Sequence, residues 1–397
     1  MKLKLNIPKI GLYLALFIIG YLNITAMLWE GSSTSLLISL AMLIVAAIAL
    51  VLFAGKPIPT QNITLAIFCY YIYIVIICLF NGYLSVFVGE PTMIVTCAYW
   101  VFCFWLFYYC GNRESMNHKT FLTFFCVLMV ICFILFCRYY AMNLETGGLL
   151  SGLNIVYYLL FMFPIVLMST NKKVLNIGIA INILATLLSS KRGAFIILFF
   201  ALLLWMLTDL SGKLTTKKIF KIILYVCVTI VIVALARLIV DKLELNIFDR
   251  METFLSGEDS GGSGRSDIWS DYWEVMREDS ILHNLFGRGY NATKLNPEIK
   301  GLGLSWAHND FLQIVFDYGI VGFIIFMVVV AKLFITAGNM KKFGYRYYRQ
   351  FLISLFIFVL CCVYSMVTIY PQWFLTMVAF WGIVIGDFDR ERKAKVQ

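Results

Sequence analysis

The chain has 397 residues, of which 61% are hydrophobic and only 14% are charged, with a formal net charge of +10. A soluble globular protein carries about 25% charged residues. This deficit excludes an ordinary cytosolic enzyme, a disordered chain and a nucleic-acid-binding domain. The mean hydropathy of +0.87 indicates a chain that lies largely in lipid. A helix needs about 20 apolar residues to cross a membrane, so a chain of this length has room for many such helices.

Twelve apolar runs follow one another along the chain, and backbone hydrogen bonding in lipid predicts that each is helical. The runs are 10–29, 35–54, 63–83, 92–110, 120–141, 152–169, 174–189, 193–208, 219–240, 311–331, 351–369 and 373–386. The seventh and eighth runs are slightly short for a bilayer. The predicted fold is an all-α polytopic membrane protein with about 12 transmembrane helices.

The distribution of charge predicts the orientation of these spans. With twelve spans, 21 of the 32 Lys and Arg residues fall on one side. The positive-inside rule makes that side cytoplasmic, and both termini lie in it. The first run has no small-residue cleavage site after it, which predicts an uncleaved span. All 11 cysteines fall within spans, which is typical of small buried apolar side chains and predicts neither disulfides nor a metal site.

The predicted organisation has three parts. Residues 1–240 form spans one to nine, residues 241–310 form one long outer loop, and residues 311–397 form the last three spans and a cytoplasmic tail. The outer loop holds 13 acidic and 7 basic residues, and therefore 20 of the 54 charges of the chain. We expect function to be concentrated there.

Three segments divide the first part of this loop. The stretch 241–256 has its apolar residues on one helical face, which predicts an amphipathic helix on the membrane surface. The sequence GEDSGGSG at 257–264 predicts a flexible joint. A second helix is predicted over 266–279, capped by Ser266 or Asp267.

Two tryptophans lie at i, i+4 on this second helix. Trp269 and Trp273 are therefore neighbours on the helix surface. Packing or anchoring at the membrane interface is one interpretation, and an aromatic platform for a sugar is the other.

Two arginines of the loop are candidate ligands for phosphate. Arg265 lies where the glycine-rich joint meets the second helix, and Arg288 lies between two glycines in the turn LFGRGYN. A solvated loop charge and a simple turn are the alternative interpretations.

His308 differs from the other two histidines in its surroundings. It begins the tenth span and is followed directly by Asn309 and Asp310, whereas His118 lies in a cytoplasmic loop and His283 in an apolar, structural setting. A polar residue at a helix start is the alternative interpretation. A histidine at this boundary can take a proton from a hydroxyl near neutral pH.

Lys191 and Arg192 contradict the predicted topology. They lie in the outer turn LLSSKRGAF between spans seven and eight, whereas the other short outer loops contain neither Lys nor Arg. Charges of this kind at the membrane favour a functional role. Arginine suits phosphate because its donors form a fork, and a lipid-linked pyrophosphate sugar would use both these cations and a histidine.

The elements SSKRGAF, GRSDIW and WAHNDFLQIVFDYGIVG resemble the O-antigen polymerase and O-antigen ligase superfamily of bacterial envelope polysaccharide assembly. The resemblance covers about 174–325 by motif and the whole chain by span count. The matching positions are Arg192, Arg265, His308, Asn309, Leu312, Gly319 and Gly322.

The resemblance implies a GT-C-like glycosyltransferase of the bacterial inner membrane, whose long loop is periplasmic. It implies metal-independent transfer, without a cofactor, of a glycan from undecaprenyl pyrophosphate with inversion. The implied partners are this lipid-linked glycan and membrane lipid, with a chain-length regulator protein left open. The implied catalytic residues are His308, as a general base, and Arg192 and Arg265, on the pyrophosphate. The candidate substrate-binding residues are Arg288, Lys191, Asn309, Trp269 and Asp310.

Three functions stay open at this point. HNDFLQIVFDYG looks closer to polymerases, which extend a lipid-linked repeat unit, than to ligases, which use the lipid A core as acceptor. A lipid-linked glycan transporter is a remote alternative. It predicts central charges in many spans and internal symmetry, and the spans here carry few such charges.

Overall fold

The computed structural model describes residues 6–28, 36–54, 63–83, 99–113, 118–145, 155–189, 191–209, 220 and 261–396. All regular secondary structure within these residues is helical. The helices are α1 (Ile7–Leu28), α2 (Leu36–Ala54), α3 (Ile63–Phe80), α4 (Tyr99–Asn112), α5 (His118–Glu145), α6 (Val156–Val166), α7 (Lys172–Leu188), α8 (Arg192–Asp209), α9 (Gly261–Glu278), α10 (Ile281–Phe286), α11 (Ala292–Leu295), α12 (Pro297–Lys300), α13 (Asp310–Phe343), α14 (Tyr348–Tyr364) and α15 (Pro371–Val396).

Helices cover most of each predicted apolar run except 219–240, which apart from residue 220 lies outside the described residues. Among the described residues, α1, α3, α5 and α13 contain stretches long and apolar enough to cross a membrane, and α2, α6, α8 and α14 contain shorter apolar ones. The all-helical class is confirmed. The count of twelve spans, their sidedness and the three-part division of the chain stay predictions.

The first of two compact units comprises Met1–Phe121, Gly264–Tyr348 and Cys362–Gln397. Its centre is the contact between α4 and α15. A Cβ added to Gly382 of α15 would lie 2.7 Å from the Phe104 carbonyl oxygen of α4. Small residues at this contact allow the two backbones to approach closely, as they do between helices in lipid. Helix α13 packs against α3 in the same unit and carries the candidate site at its N-terminus.

The second unit comprises Leu122–Ser263 and Arg349–Cys361. Here α6 packs against α7, and Gln350 Nε2 donates a 2.9 Å hydrogen bond to the Leu167 carbonyl oxygen just after α6. Helices α7 and α8 also pack together, and only three residues separate the end of α7 from Arg192 at the start of α8. Lys191 and Arg192 therefore lie where α7 is followed by α8, and the outer position of this turn stays a prediction.

The predicted start of the second loop helix is wrong. Helix α9 begins at Gly261, inside the stretch assigned to a flexible joint and ahead of the expected caps Ser266 and Asp267. Glycine weakens a helix by about 0.5–1 kcal/mol per residue. Packing of Tyr272 and Met276 in the hydrophobic core of this unit supplies stabilisation that local propensity does not include. Residues 257–260 and the predicted amphipathic helix 241–256 lie outside the described residues.

The helix that contains the tenth predicted span extends beyond it. Helix α13 continues past residue 331 to Phe343, because Leu333, Ala337 and Met340 keep burying one face. The same helix is interrupted near its start, where Gly319 has φ 68° and ψ −178°. This interruption lies close to the candidate site at the start of α13.

Candidate active site

Helix α9 presents one face to the segment that leads into α13. Tyr272 is fully buried, and its hydroxyl lies 2.9 Å from both the Ser305 carbonyl oxygen and Gln313 Oε1. Burial and the nearby Asp317 carboxylate raise the pKa of Tyr272, so the hydroxyl stays protonated and able to donate. These contacts fix the path of residues 304–309 across α9.

Trp269 extends this contact by one turn. Its indole Nε1 donates a 2.8 Å hydrogen bond to the carbonyl oxygen of Ala307, the residue before His308. The Ala307 amide in turn donates to Gln313 Oε1 at 3.2 Å. Both backbone polar groups of Ala307, the residue before His308, are therefore held by fixed partners.

His308 itself has φ 49°, in the left-handed region that non-glycine residues rarely adopt. Its side chain is half-buried. Backbone strain of this kind costs of order 1–3 kcal/mol and persists only where the surroundings over-determine the conformation. Contacts on both sides of His308 are therefore needed to hold this conformation.

Asn309 and Asp310 hold that second side. Asn309 is the N-cap of α13, and its Oδ1 accepts a 3.1 Å hydrogen bond from the Leu312 amide. Asp310 is fully buried and accepts hydrogen bonds from the Val367 amide at 2.6 Å and from Thr368 Oγ1 at 2.6 Å. The carboxylate of Asp310 thus ties the start of α13 to the turn before α15.

A buried polar network continues from here along α13. Gln313 Nε2 donates a 2.9 Å hydrogen bond to Asp317 Oδ1, one turn further along the helix. The Asp317 carboxylate also accepts the amides of Asn291 and Ala292, both at 3.1 Å. The Asp317 carboxylate is therefore a buried partner for three polar groups of the protein.

The interruption of α13 is filled by the loop after α10. Gly287 has φ 93° and Gly319 has φ 68°, and a Cβ on either residue would overlap the backbone of the other segment. The Asp317 carbonyl oxygen accepts the amides of Arg288 at 2.9 Å and Gly289 at 2.8 Å. The Tyr73 hydroxyl of α3 donates to the Tyr318 carbonyl oxygen at 2.8 Å. The Asp317 and Tyr318 carbonyl oxygens at the break thus accept hydrogen bonds from other segments. Buried backbone groups require such partners.

Arg288 is fully buried beside this break. Its Nε donates to Asp279 Oδ2 at 2.7 Å, and its terminal nitrogens donate to Asn284 Oδ1 at 2.9 Å and to the Phe316 carbonyl oxygen at 3.2 Å. The guanidinium also stacks 4.5 Å from the centre of the Phe316 ring. These contacts join α9, α10 and α13 through one side chain.

Asp279 is the acidic partner in this arrangement. His283 Nδ1 lies 2.8 Å from Asp279 Oδ1, as expected for a structural histidine. Partial burial works to raise the pKa of Asp279, but hydrogen bonds from His283 and the Ser280 amide and the charge of Arg288 lower it overall. Asp279 therefore carries its negative charge at neutral pH.

Arg265 lies in the first turns of α9 and is half-buried. It precedes Trp269 by four residues and Tyr272 by seven, so it shares their helical face. That face packs on the segment before His308. The structure therefore brings Arg265, Trp269, His308, Asn309 and Asp310 to one region of the first unit.

Arg192 and Lys191 belong to the second unit. Both are half-buried at the start of α8, and the Lys191 amide donates to the Ser189 side chain at 3.3 Å. Positive charge at the start of a helix adds to the positive end of its dipole.

Gln313 and Tyr272 were not predicted from the sequence. Gln313 and Asp317 lie four residues apart in an apolar helix, and such a polar pair would have indicated a hydrogen bond along one helical face. Tyr272 carries no comparable signal, because its partners are 33 and 41 residues away in the chain.

Comparison with known proteins adds one match. Residues 177–327 match the family model Wzy_C, described as O-Antigen ligase. The matched stretch contains the candidate residues of each unit. Curated proteins gave no match. Residues 177–327 are therefore similar to the Wzy_C O-antigen ligase domain family, whose enzymes transfer lipid-linked glycans, and the apolar helices indicate a multi-pass membrane protein.

Proposed function

We propose that the protein is an O-antigen or capsule-type polysaccharide polymerase of the bacterial inner membrane. It transfers the growing glycan from undecaprenyl pyrophosphate to a lipid-linked repeat unit at the periplasmic face. The observation that carries this proposal is the strained, doubly held backbone of His308 beside α9, within the matched stretch. Strain maintained by surrounding contacts is characteristic of reactive positions.

His308 is the proposed general base. The acceptor hydroxyl oxygen attacks the anomeric carbon of the donor glycan, and its proton passes to the imidazole. The new glycosidic C–O bond forms as the bond between the anomeric carbon and the phosphate oxygen breaks. Undecaprenyl pyrophosphate leaves with that electron pair. Direct displacement inverts the configuration at the anomeric carbon.

Arg192 and Arg265 are the proposed pyrophosphate ligands. Both lie near the start of a helix, where the exposed amides add positive potential. Each guanidinium offers a fork of donors that matches two phosphate oxygens. Charge that develops on the departing pyrophosphate is stabilised there, and Lys191 adds a point charge beside Arg192.

The remaining candidates divide into positioning and contact roles. Trp269, Asn309 and Asp310 hold the backbone on either side of His308. The indole of Trp269 also supplies an aromatic surface for the sugar. The Nε and both terminal nitrogens of Arg288 donate hydrogen bonds to groups of the protein. We therefore propose that Arg288 holds the loop in the break of α13 and does not bind phosphate.

Purified protein in proteoliposomes, supplied with one defined undecaprenyl-pyrophosphate-linked repeat unit, tests the proposed function. We expect a ladder of lipid-linked products that differ by one repeat, with an inverted linkage by NMR. Formation of no polymer by folded protein with this donor would contradict the polymerase assignment.

A ligase is the second candidate, because the matching family is described as O-Antigen ligase. Its acceptor is the lipid A core, and its donor is the same. Adding lipid A core to the proteoliposomes separates the two reactions, since a ligase forms a core-linked product. In cells, loss of a polymerase leaves a single repeat unit on the core, whereas loss of a ligase leaves none.

A further inference from the structure

Helix α10 exposes its apolar side chains and turns its polar ones towards the protein. Ile281 and Leu282 are 77% and 66% exposed, and Leu285 and Phe286 are also exposed. The polar residues of the same helix point into the protein: His283 contacts Asp279, and Asn284 Nδ2 donates to the Met276 carbonyl oxygen at 2.6 Å. This arrangement is inverted with respect to a helix that packs on a water-soluble surface.

The attachment of α10 to α13 sets its depth relative to a bilayer. The Leu285–Gly287 backbone contacts Gly319, and the Asp317 carbonyl accepts the amide of Arg288 directly after that loop. Lys332 is the first charged residue after this point along α13. About 20 residues at 1.5 Å each span the hydrocarbon core. A span that ends at Lys332 therefore begins near Leu312, and α10 lies at the level of its outermost turns.

The exposed side chains of α10 continue onto the lipid-facing side of α13. Ile320 and Ile324 are 47% and 56% exposed and follow the break by one and five residues. Met327 and Val328 continue the same stripe at helical spacing. A groove of about 340 Å³ joins the two helices to α9, lined by Trp273, Met276, Arg277, Asn284, Val315 and Ile320.

The rim of this groove matches the chemistry of a lipid headgroup. Trp273 is 56% exposed, and Arg277 is exposed one turn further along α9. Tryptophan favours the boundary between hydrocarbon and water, and a cation there meets the phosphates of the lipids. Exposed apolar patches that are rimmed by polar residues mark sites of contact with a partner or with the membrane.

We propose that α10 lies within the bilayer interface and that lipid covers Ile281, Leu282, Leu285 and Phe286. Acyl chains continue from the exposed stripe of α13 onto α10 and into the groove below Trp273, with lipid phosphate at Arg277. The loop after α10 fills the break of α13, so this anchor fixes the site segment relative to the membrane surface. The proposal does not depend on the reaction that the protein catalyses.

Photo-crosslinking in proteoliposomes tests this contact. The variants Leu282→p-benzoylphenylalanine and Ile281→p-benzoylphenylalanine are reconstituted in phosphatidylethanolamine and phosphatidylglycerol, irradiated and analysed by intact-mass spectrometry. We expect adducts with the mass of one phospholipid in both variants. Asp271→p-benzoylphenylalanine is the matched control, because Asp271 is exposed on the far side of α9 from the groove, and we expect several-fold less adduct there.

Two outcomes would overturn the proposal. A cross-linked dimer without lipid adduct would mean that a second copy of the chain covers α10. Lipid adduct at position 282 no greater than at position 271 would mean that α10 faces water. The tryptophan fluorescence melting curve of each variant, compared with that of the unmodified protein, excludes misfolding as the source of any adduct.

Discussion

The indole Nε1 of Trp269 lies 2.8 Å from the carbonyl oxygen of Ala307 and thereby holds the peptide unit next to the strained His308. Trp269→Phe keeps the aromatic surface and removes this donor. Small displacements of a catalytic group cost up to about 100-fold in rate, so we expect kcat to fall by roughly 10- to 100-fold with little change in KM for the donor. Turnover of a defined lipid-linked repeat in proteoliposomes measures both constants.

Trp306→Phe is the matched control for this variant. It also removes one indole hydrogen bond, of 3.0 Å, from the same segment, but its acceptor is the Asn291 side chain. We expect a similar loss of thermal stability and a much smaller effect on kcat. Equal losses of kcat in the two variants would contradict a specific positioning role for Trp269.

Substitutions of His308 distinguish the role of its imidazole from that of its left-handed backbone conformation. Loss of a positioned base costs about 10²–10⁴ in rate, and we expect this loss in His308→Ala and in His308→Asn. Asparagine tolerates the left-handed conformation better than alanine, so the asparagine variant keeps its melting temperature. Near-normal turnover by His308→Asn would show that the imidazole is not the base.

Lysine in place of the candidate arginines tests bidentate phosphate binding. Arg192→Lys and Arg265→Lys keep the charge but lose the fork of donors. Loss of a hydrogen bond to a charged group costs about 1.5–3 kcal/mol, so we expect kcat/KM for the donor to fall by roughly 10- to 150-fold. Lys173→Gln, exposed at the other end of the α7–α8 hairpin, is the control and keeps full activity. Full activity in both arginine variants would exclude the proposed role.

The break in α13 predicts a steep difference among glycine variants. In Gly319→Ala the new methyl group overlaps the Leu285 backbone, and the residue has a conformation that is nearly confined to glycine. We expect little folded protein, and the same for Gly287→Ala. Gly338→Ala, in open space on the same helix, is neutral or stabilises by up to about 1 kcal/mol. Yield and melting temperature in detergent decide between these outcomes, and a stable Gly319→Ala protein would contradict the described break.

The ion pair between Asp279 and Arg288 predicts a dependence of stability on pH. The pKa of Asp279 is lower in the folded protein than its ordinary value of 3.8. The stabilisation is therefore complete above about pH 4 to 5 and is lost as the pH falls through the folded-state pKa. Asp279→Asn leaves the buried Arg288 without its charged partner, which costs about 3–5 kcal/mol for a buried pair. Because Asp279 is partly exposed, we expect a cost at the lower end of this range.

Melting curves between pH 3 and pH 7 measure this effect. We expect the wild type to lose its advantage over Asp279→Asn as the solution is acidified below pH 4. Asp267→Asn, exposed on α9, is the control and follows the wild type. A constant difference between wild type and Asp279→Asn across this range would exclude the carboxylate charge as its source.

The positions of the helices could be predicted because backbone in lipid must form helices wherever an apolar run is long enough. The setting of His308 at the start of α13 followed from the same rule, since the apolar run begins directly after it. The start of α9 could not be predicted, because its glycines favour a loop locally and only the packing of Tyr272 and Met276 opposes that preference.

The burial of Arg288 was equally inaccessible to sequence reasoning. Glycines on both sides indicated an arginine free to approach a ligand. Its partners Asp279 and Asn284 lie on either side of the extended residue Ser280, and nothing in the local sequence pattern indicates that both contact Arg288. Gly319 matched a family motif, but a glycine inside an apolar run does not reveal a positive φ.

The break at Gly319 has a consequence for how the protein is made. Until the loop after α10 supplies the Arg288 and Gly289 amides, the Asp317 carbonyl has no partner in lipid. The loop is synthesised before Gly319 and cannot dock until that residue has been released from the translation machinery. We therefore expect insertion of α13 and folding of the preceding loop to finish together, and a chain that stops short of residue 319 to complete neither.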